Sequence, residues 1–157
     1  MVTIKNAQRA VPCDVKQLKA DAHYLLKILD YEDFDLGIML VSDTTIQQYN
    51  RDYRGKDKPT DVLSFPYHPD LKAGERIEAT TEEDRNVGDL IIAPLYVQAD
   101  AKRLKVPFER RMRRLLVHGI CHVLGYDHET DADYAVMIKQ ERSLLQRLYA
   151  HDKRNKK

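Results

Sequence analysis

The chain has no tryptophan, three phenylalanines and two cysteines, Cys13 and Cys121, among 157 residues. Two cysteines do not make a disulfide framework, so the fold must rest on a packed core, which 157 residues can supply without staples. Six glycines and six prolines exclude collagen-like and low-complexity organisation. No apolar run approaches the roughly 20 residues that span a bilayer, and no leader-like segment opens the chain. A cytoplasmic protein without membrane contact is therefore expected. An excess of charge is lacking too. The 26 Lys and Arg against 25 Asp and Glu leave +1, so any affinity for nucleic acid must come from a local patch.

What is present is an interleaving of strand-like and helix-like segments. Residues 2–5 alternate briefly and read as an edge strand, while Val15, Leu18, Ala22, Leu25, Leu26 and Leu29 recur at helical spacing over 14–29. The run 35–41 is apolar enough for a strand buried on both faces, and Ser42 or Asp43 then offers an N-cap to a helix through Ile46 and Tyr49. Residues 60–65 read as a strand ending at Pro66, 68–86 as a long exposed loop or hairpin, and 88–93 as another apolar strand before Pro94 starts a helix. Further helices are expected from about 107 and over 131–149, the latter with Ala135, Ile138, Leu145 and Leu148 on its apolar stripe. The expected fold is α+β: one domain over 1–157, with a mixed sheet of about four strands, the first two paired hairpin-like, packed with several helices. Residues from about 150 to 157 are expected to form a flexible basic tail.

The chemistry concentrates in VHGICHVLGYDHE. His118, His122 and His128 stand at i, i+4 and i+10, with Gly125 between the last two. On a helix the first two share a face, so both imidazoles can reach one ion. Gly125 can adopt positive φ, end the helix and return the chain with the third. With six histidines in the chain, this spacing arises by chance in about one such sequence in a hundred, before the glycine is counted. Three neutral imidazoles leave a tetrahedral zinc one open corner, the layout of a catalytic site. Cys121 could face the ion but fits better as a small buried hydrophobe.

The spacing is metzincin-like, yet the metzincin pattern H-E-x-x-H-x-x-G-x-x-H carries a Glu after its first histidine as general base. Gly119 stands there instead. Peptide hydrolysis is thus the weaker reading of a protease-like zinc helix. Upstream, Lys102, Arg103, Lys105, Arg110, Arg111, Arg113 and Arg114 crowd one stretch with Glu109 as its acid, a phosphate-binding footprint. Arg114 and Arg111 lie four and seven residues before His118, so both can project along the ligand face. Arg51, Arg54, Lys56 and Lys58 in NRDYRGKDKPTDVLSF suit a loop holding a phosphate.

Taken together, HGICHVLGYDH at 118–128, NRDYRGKDKPTDVLSFP at 50–66 and GDLIIA at 88–93 resemble the YbeY family of metal-dependent endoribonucleases. The resemblance implies one zinc held by His118, His122 and His128, and a catalytic role for Arg54. It implies single-stranded RNA as substrate, chiefly the small-subunit ribosomal RNA end, in rRNA maturation and ribosome quality control. Lys56, Arg111 and Arg114 join Arg54 as candidate substrate-binding residues. Small-subunit ribosomal proteins and an assembly GTPase are candidate partners. Either water or the substrate's own 2′-hydroxyl could serve as nucleophile. Two other readings stand beside this one: an RNA-binding ribosome assembly factor with a structural zinc, and a metalloprotease.

Overall fold

Capping chemistry marks the element boundaries in the computed structural model, which describes residues 1–155. The order is β1 (Val2–Asn6), α1 (Val15–Ile28), β2 (Asp35–Leu40), α2 (Asp43–Arg54), β3 (Val62–Pro66), β4 (Asn86–Ile92), α3 (Pro94–Leu104), α4 (Phe108–Val123) and α5 (Asp131–Asn155). The Asp14 side chain accepts from the Gln17 N–H to start α1, and Ser42 Oγ accepts from the Thr45 N–H to start α2. Gly55, left-handed at φ 68°, closes α2, and Pro94 opens α3.

The sheet order is β1-β2-β4-β3, with β1, β2 and β4 parallel and β3 antiparallel to β4. The α+β class and the four-stranded mixed sheet are as expected; the pairing of the first two strands is not. β1 and β2 run parallel because α1 crosses between them, and a helix-length connection returns a strand in the same direction where a hairpin would reverse it.

One face of the sheet carries the main core. Leu36, Ile38 and Leu40 of β2 and Leu90 and Ile92 of β4 meet α1, α4 and α5 there. The other face is only partly covered. Gly37 and Met39 are half-buried, so β2 is not closed on both sides as its composition suggested. A small second cluster of Val41, Ile46, Leu63 and Ile91 sits under α2 on this side.

Two further differences bear on the site. The buried stripe of α5 is Met137, Glu141, Leu144 and Leu148, with Ala135 exposed, so the helix is rotated from the face its sequence suggested. The helix also continues through Asn155, past the point where a tail was expected; Lys156 and Lys157 lie outside the described residues. The segment 67–85 is irregular rather than a hairpin. It is pinned by Ile77, which is buried and donates its N–H to Tyr31 Oη at 3.0 Å, and by a His68 Nε2 contact with the Asp84 carbonyl at 2.9 Å.

Candidate metal centre and its cleft

Helix α4 is apolar around most of its circumference, burying Met112, Leu115, Leu116, Val117, Ile120, Cys121 and Val123. His118 and His122 occupy the strip that remains, half-buried and one turn apart. Gly119 faces the sheet. A Cβ there would lie 2.8 and 2.9 Å from the two Leu90 methyls, and Leu90 is fully buried and cannot retreat. Where a protease of this spacing has its glutamate, this chain has the contact between α4 and β4.

The helix ends in a Schellman turn. The Tyr126 N–H donates to the Cys121 carbonyl and the Gly125 N–H to the His122 carbonyl, with Gly125 at φ 95°. Gly125 is held by sterics as well as by φ, since a Cβ would fall 2.4 Å from the Leu71 carbonyl oxygen of the pinned segment. The turn delivers His128, whose backbone N–H donates to Asp127 Oδ1 at 2.7 Å. Asp127 thus caps the turn.

The three imidazoles fit one ion. Their ligand nitrogens lie within 4.8 Å of one another, and the Nε2 atoms of His118 and His122 are 3.1 Å apart. A tetrahedral ion with Zn–N bonds of about 2.05 Å holds its donors about 3.3 Å apart. Burial, then the neighbouring His118 and His128, pushes the His122 pKa down to about 4, so its lone pair is available at neutral pH. Cys121 is excluded as a ligand by position and by chemistry. It packs in the main core, and burial, aided by Glu141, pushes its thiol up to about 12.

Glu141 is the functional residue that sequence reasoning missed. Its Oε1 lies 2.6 Å from His118 Nδ1, and its side chain is 7% exposed. A carboxylate accepts, so the proton of His118 sits on Nδ1 and Nε2 is left as a donor atom for a metal. The signal was present as a lone acid on the apolar stripe of α5.

The cationic candidates divide. Arg54, at the end of α2, lines a cleft of about 890 Å³ together with His118, His122 and His128. Arg114 is exposed and borders an adjoining cavity of about 240 Å³ with His118, His128 and Glu141. Arg111 reaches the same cavity, but its guanidinium lies 3.4 Å from Asp61 and 3.6 Å from Asp100. Lys56 is exposed on the turn after α2 and is not among the residues lining the cleft. That turn is anchored by Asn50, whose buried Nδ2 donates to the Lys58 carbonyl at 2.9 Å. Arg113, counted with the basic cluster, turns away into a clamp. It donates to Asp21 at 2.8 and 2.9 Å and to both Asp152 oxygens, which holds its pKa above the usual arginine range. Among the described residues no helix is long and apolar enough to cross a membrane.

A family model described as Endoribonuclease YbeY matches residues 3–149. The Homo sapiens protein named Endoribonuclease YbeY is 36% identical over 147 residues, covering 94% of this chain and 87% of its own length. The Syntrophotalea carbinolica protein of that name is 36% identical over 150 residues, covering 94% and 95%. The solution structure of TM1509 from Thermotoga maritima superposes with a TM-score of 0.65 at 26% identity, covering 99% of this chain and 93% of that one.

Proposed function

Because the chain belongs to the Endoribonuclease YbeY family, we propose that it is a zinc-dependent, single-strand-specific endoribonuclease acting in ribosomal RNA maturation, at the small-subunit rRNA end, and in ribosome quality control. The observation that carries this reading is the convergence of His118, His122 and His128 in the same cleft that Arg54 lines. When bound, zinc supplies Lewis acidity that polarises a phosphate oxygen and makes a nearby water more acidic.

The chain's own residues do the rest. His118 is oriented by Glu141, and His128 is presented by a turn that Gly125 and Asp127 fix. Arg54 donates a bidentate pair to the scissile phosphate, strengthening as negative charge builds on its oxygens. Arg114 binds a neighbouring phosphate, and Lys56 extends the cationic track along the turn after α2. Arg111 contributes from the cavity wall, where Asp61 and Asp100 hold its guanidinium in place. No carboxylate base is needed, and position 119 has no space for one.

Two alternatives are weaker on physical grounds. A metalloprotease needs a glutamate where Leu90 packs on Gly119. A purely structural zinc in an assembly factor is typically closed, with four protein ligands, whereas this cluster supplies three histidines and His128 is exposed in the cleft. Within the proposed function the chain acts as one domain in the cytoplasm. Its partners are single-stranded and ribosomal RNA, with small-subunit ribosomal proteins and an assembly GTPase as protein partners.

The test measures bound metal, then compares wild type, Arg54→Glu and His118→Ala on single- and double-stranded RNA in matched preparations. About one zinc per wild-type chain, selective cutting of the single strand, and a loss of at least about 100-fold in Arg54→Glu are expected. If both folded variants cut as fast as wild type, the site is misassigned.

A further inference from the structure

The half-covered face of the sheet holds a groove of about 490 Å³ that the chemistry above does not use. Its floor includes Gly37, Met39 and Asp89, and its wall is aromatic. Tyr53 meets Phe65 edge to face with ring centroids 5.2 Å apart, and lies within 13° of parallel to Tyr49 at 6.0 Å. Tyr49 and Phe65 are partly buried against the small core cluster, while Tyr53 is 68% exposed. An isolated exposed tyrosine is ordinary. This one is braced by two anchored rings and keeps a large open surface. Tyr53 and Phe65 also line the cleft of the three histidines, so the groove and the cleft share a wall.

Charge decides what would sit there. Arg54 follows Tyr53 directly and lines the histidine cleft, so the rim leading from the rings to that cleft is cationic; Lys56 and Lys58 are exposed, with Asp57 between them, on the anchored turn beyond it. The floor carries the Asp89 carboxylate, which packs over Gly37 and opposes Phe65 in register. Lys5 lies across the sheet on β1. A phosphate suits the rim and not that floor, whereas an uncharged aromatic ring suits the wall. We propose that Tyr53, braced by Phe65 and Tyr49, is a stacking platform for one unpaired nucleobase of a single RNA strand whose backbone follows the Arg54 turn into the histidine cleft. The inference rests on the ribonuclease reading and deepens it. A base held in a duplex cannot offer its face to such a platform, so Tyr53 accounts for selection of single strands.

The test uses the metal-loaded full chain and short single-stranded RNAs carrying 2-aminopurine at successive positions. Rapid mixing reads fluorescence before cleavage, and steady-state assays give KM and kcat. At one position wild type and Tyr53→Phe should quench the probe. Tyr53→Ala should lose the quench and raise KM by about tenfold or more with little change in kcat, while the lost ring contacts lower the melting temperature by only a few degrees and leave the protein folded at the assay temperature. An abasic nucleotide at that position should weaken wild type and leave Tyr53→Ala unaffected. Tyr53→Ala that binds, quenches and cuts as wild type does overturns the platform while the ribonuclease reading stands. Wild type that neither binds nor cuts any of these RNAs overturns both.

Discussion

Removing the Glu141 carboxylate should weaken metal binding without unfolding the protein, and the structure sets both magnitudes. Glu141 Oε1 is 2.6 Å from His118 Nδ1 and orients the imidazole that aims Nε2 at the site. Deleting an outer partner of a ligand histidine costs about 10- to 100-fold in metal affinity, or about 1.4–2.7 kcal/mol. Glu141→Gln keeps an accepting oxygen but no charge and should fall near tenfold; Glu141→Ala should fall near 100-fold. Stability should respond differently. Breaking a fully buried pair costs about 3–5 kcal/mol, but the His118 side chain is 30% exposed and water can replace its lost acceptor. Glu141→Leu goes further, making the α5 stripe continuous with Met137, Leu144 and Leu148. Its metal-free form should melt at or above the wild-type temperature while its metal affinity falls. Competition against a chromophoric chelator gives the affinity, and calorimetry in EDTA gives the stability. Affinities within threefold of wild type for all three variants, or affinity losses that track melting temperature in EDTA, would refute the role of Glu141 as a positioning residue.

Arg113→Ala leaves Asp21, whose side chain is 4% exposed, with the Gln17 amide but no countercharge, and should cost about 3–5 kcal/mol, lowering the melting temperature by about 6–20 °C in calorimetry. Gly119→Ala gains about 1 kcal/mol of helix propensity but drives a methyl into fully buried Leu90, a clash of about 1–3 kcal/mol, so chemical denaturation should show a net loss of up to about 2 kcal/mol and no peptidase activity. His122 gives a pH signature in the metal-free protein. Its folded pKa of about 4 lies below the ordinary 6.5, so between those values the unfolded chain binds a proton that the folded chain refuses, and stability falls as pH drops from 6.5 to 4. Urea titrations in EDTA should therefore show wild type losing ground to His122→Gln over that window and no further below it; a pH-independent difference would count against the depressed value.

The convergence of the three histidines was legible because its information is local. A helix repeat, a glycine and one turn bring three side chains together within eleven residues, and the Schellman bonds of Gly125 and Tyr126 supply the geometry that the spacing implied. The cap at Ser42 was legible for the same reason. Glu141 was not, because its partner is 23 residues away and because the apolar stripe of α5 was assigned through Ala135, Ile138, Leu145 and Leu148, of which Leu148 alone is on the buried stripe. Rotating that stripe onto Met137, Leu144 and Leu148 puts Glu141 in its centre. A lone carboxylate there needs a buried partner, which is itself a signal. Asp21 on the buried face of α1 carries the same signal, and its partner Arg113 is the arginine that the crowded basic stretch disguised as a phosphate ligand.

Both overlooked acids converge on α4, and this shows how one helix serves a site and a core together. Its apolar residues fix it under the sheet, and Gly119 lets it approach Leu90 closely enough to leave no depth for a side chain. Arg113 ties it to α1 and α5 through Asp21 and Asp152, and Glu141 ties His118 to α5 one turn and a half further along. A shift of α4 along its axis by one residue, about 1.5 Å, would break both ties and move a Cβ onto Leu90. The positions of His118 and His122 are therefore set by contacts away from the cleft, at Arg113 and Gly119, and by Glu141 in the cavity beside it. Mutations at Arg113 or Gly119 should accordingly reach the metal through the helix, weakening binding in proportion to lost stability, whereas Glu141 substitutions separate the two.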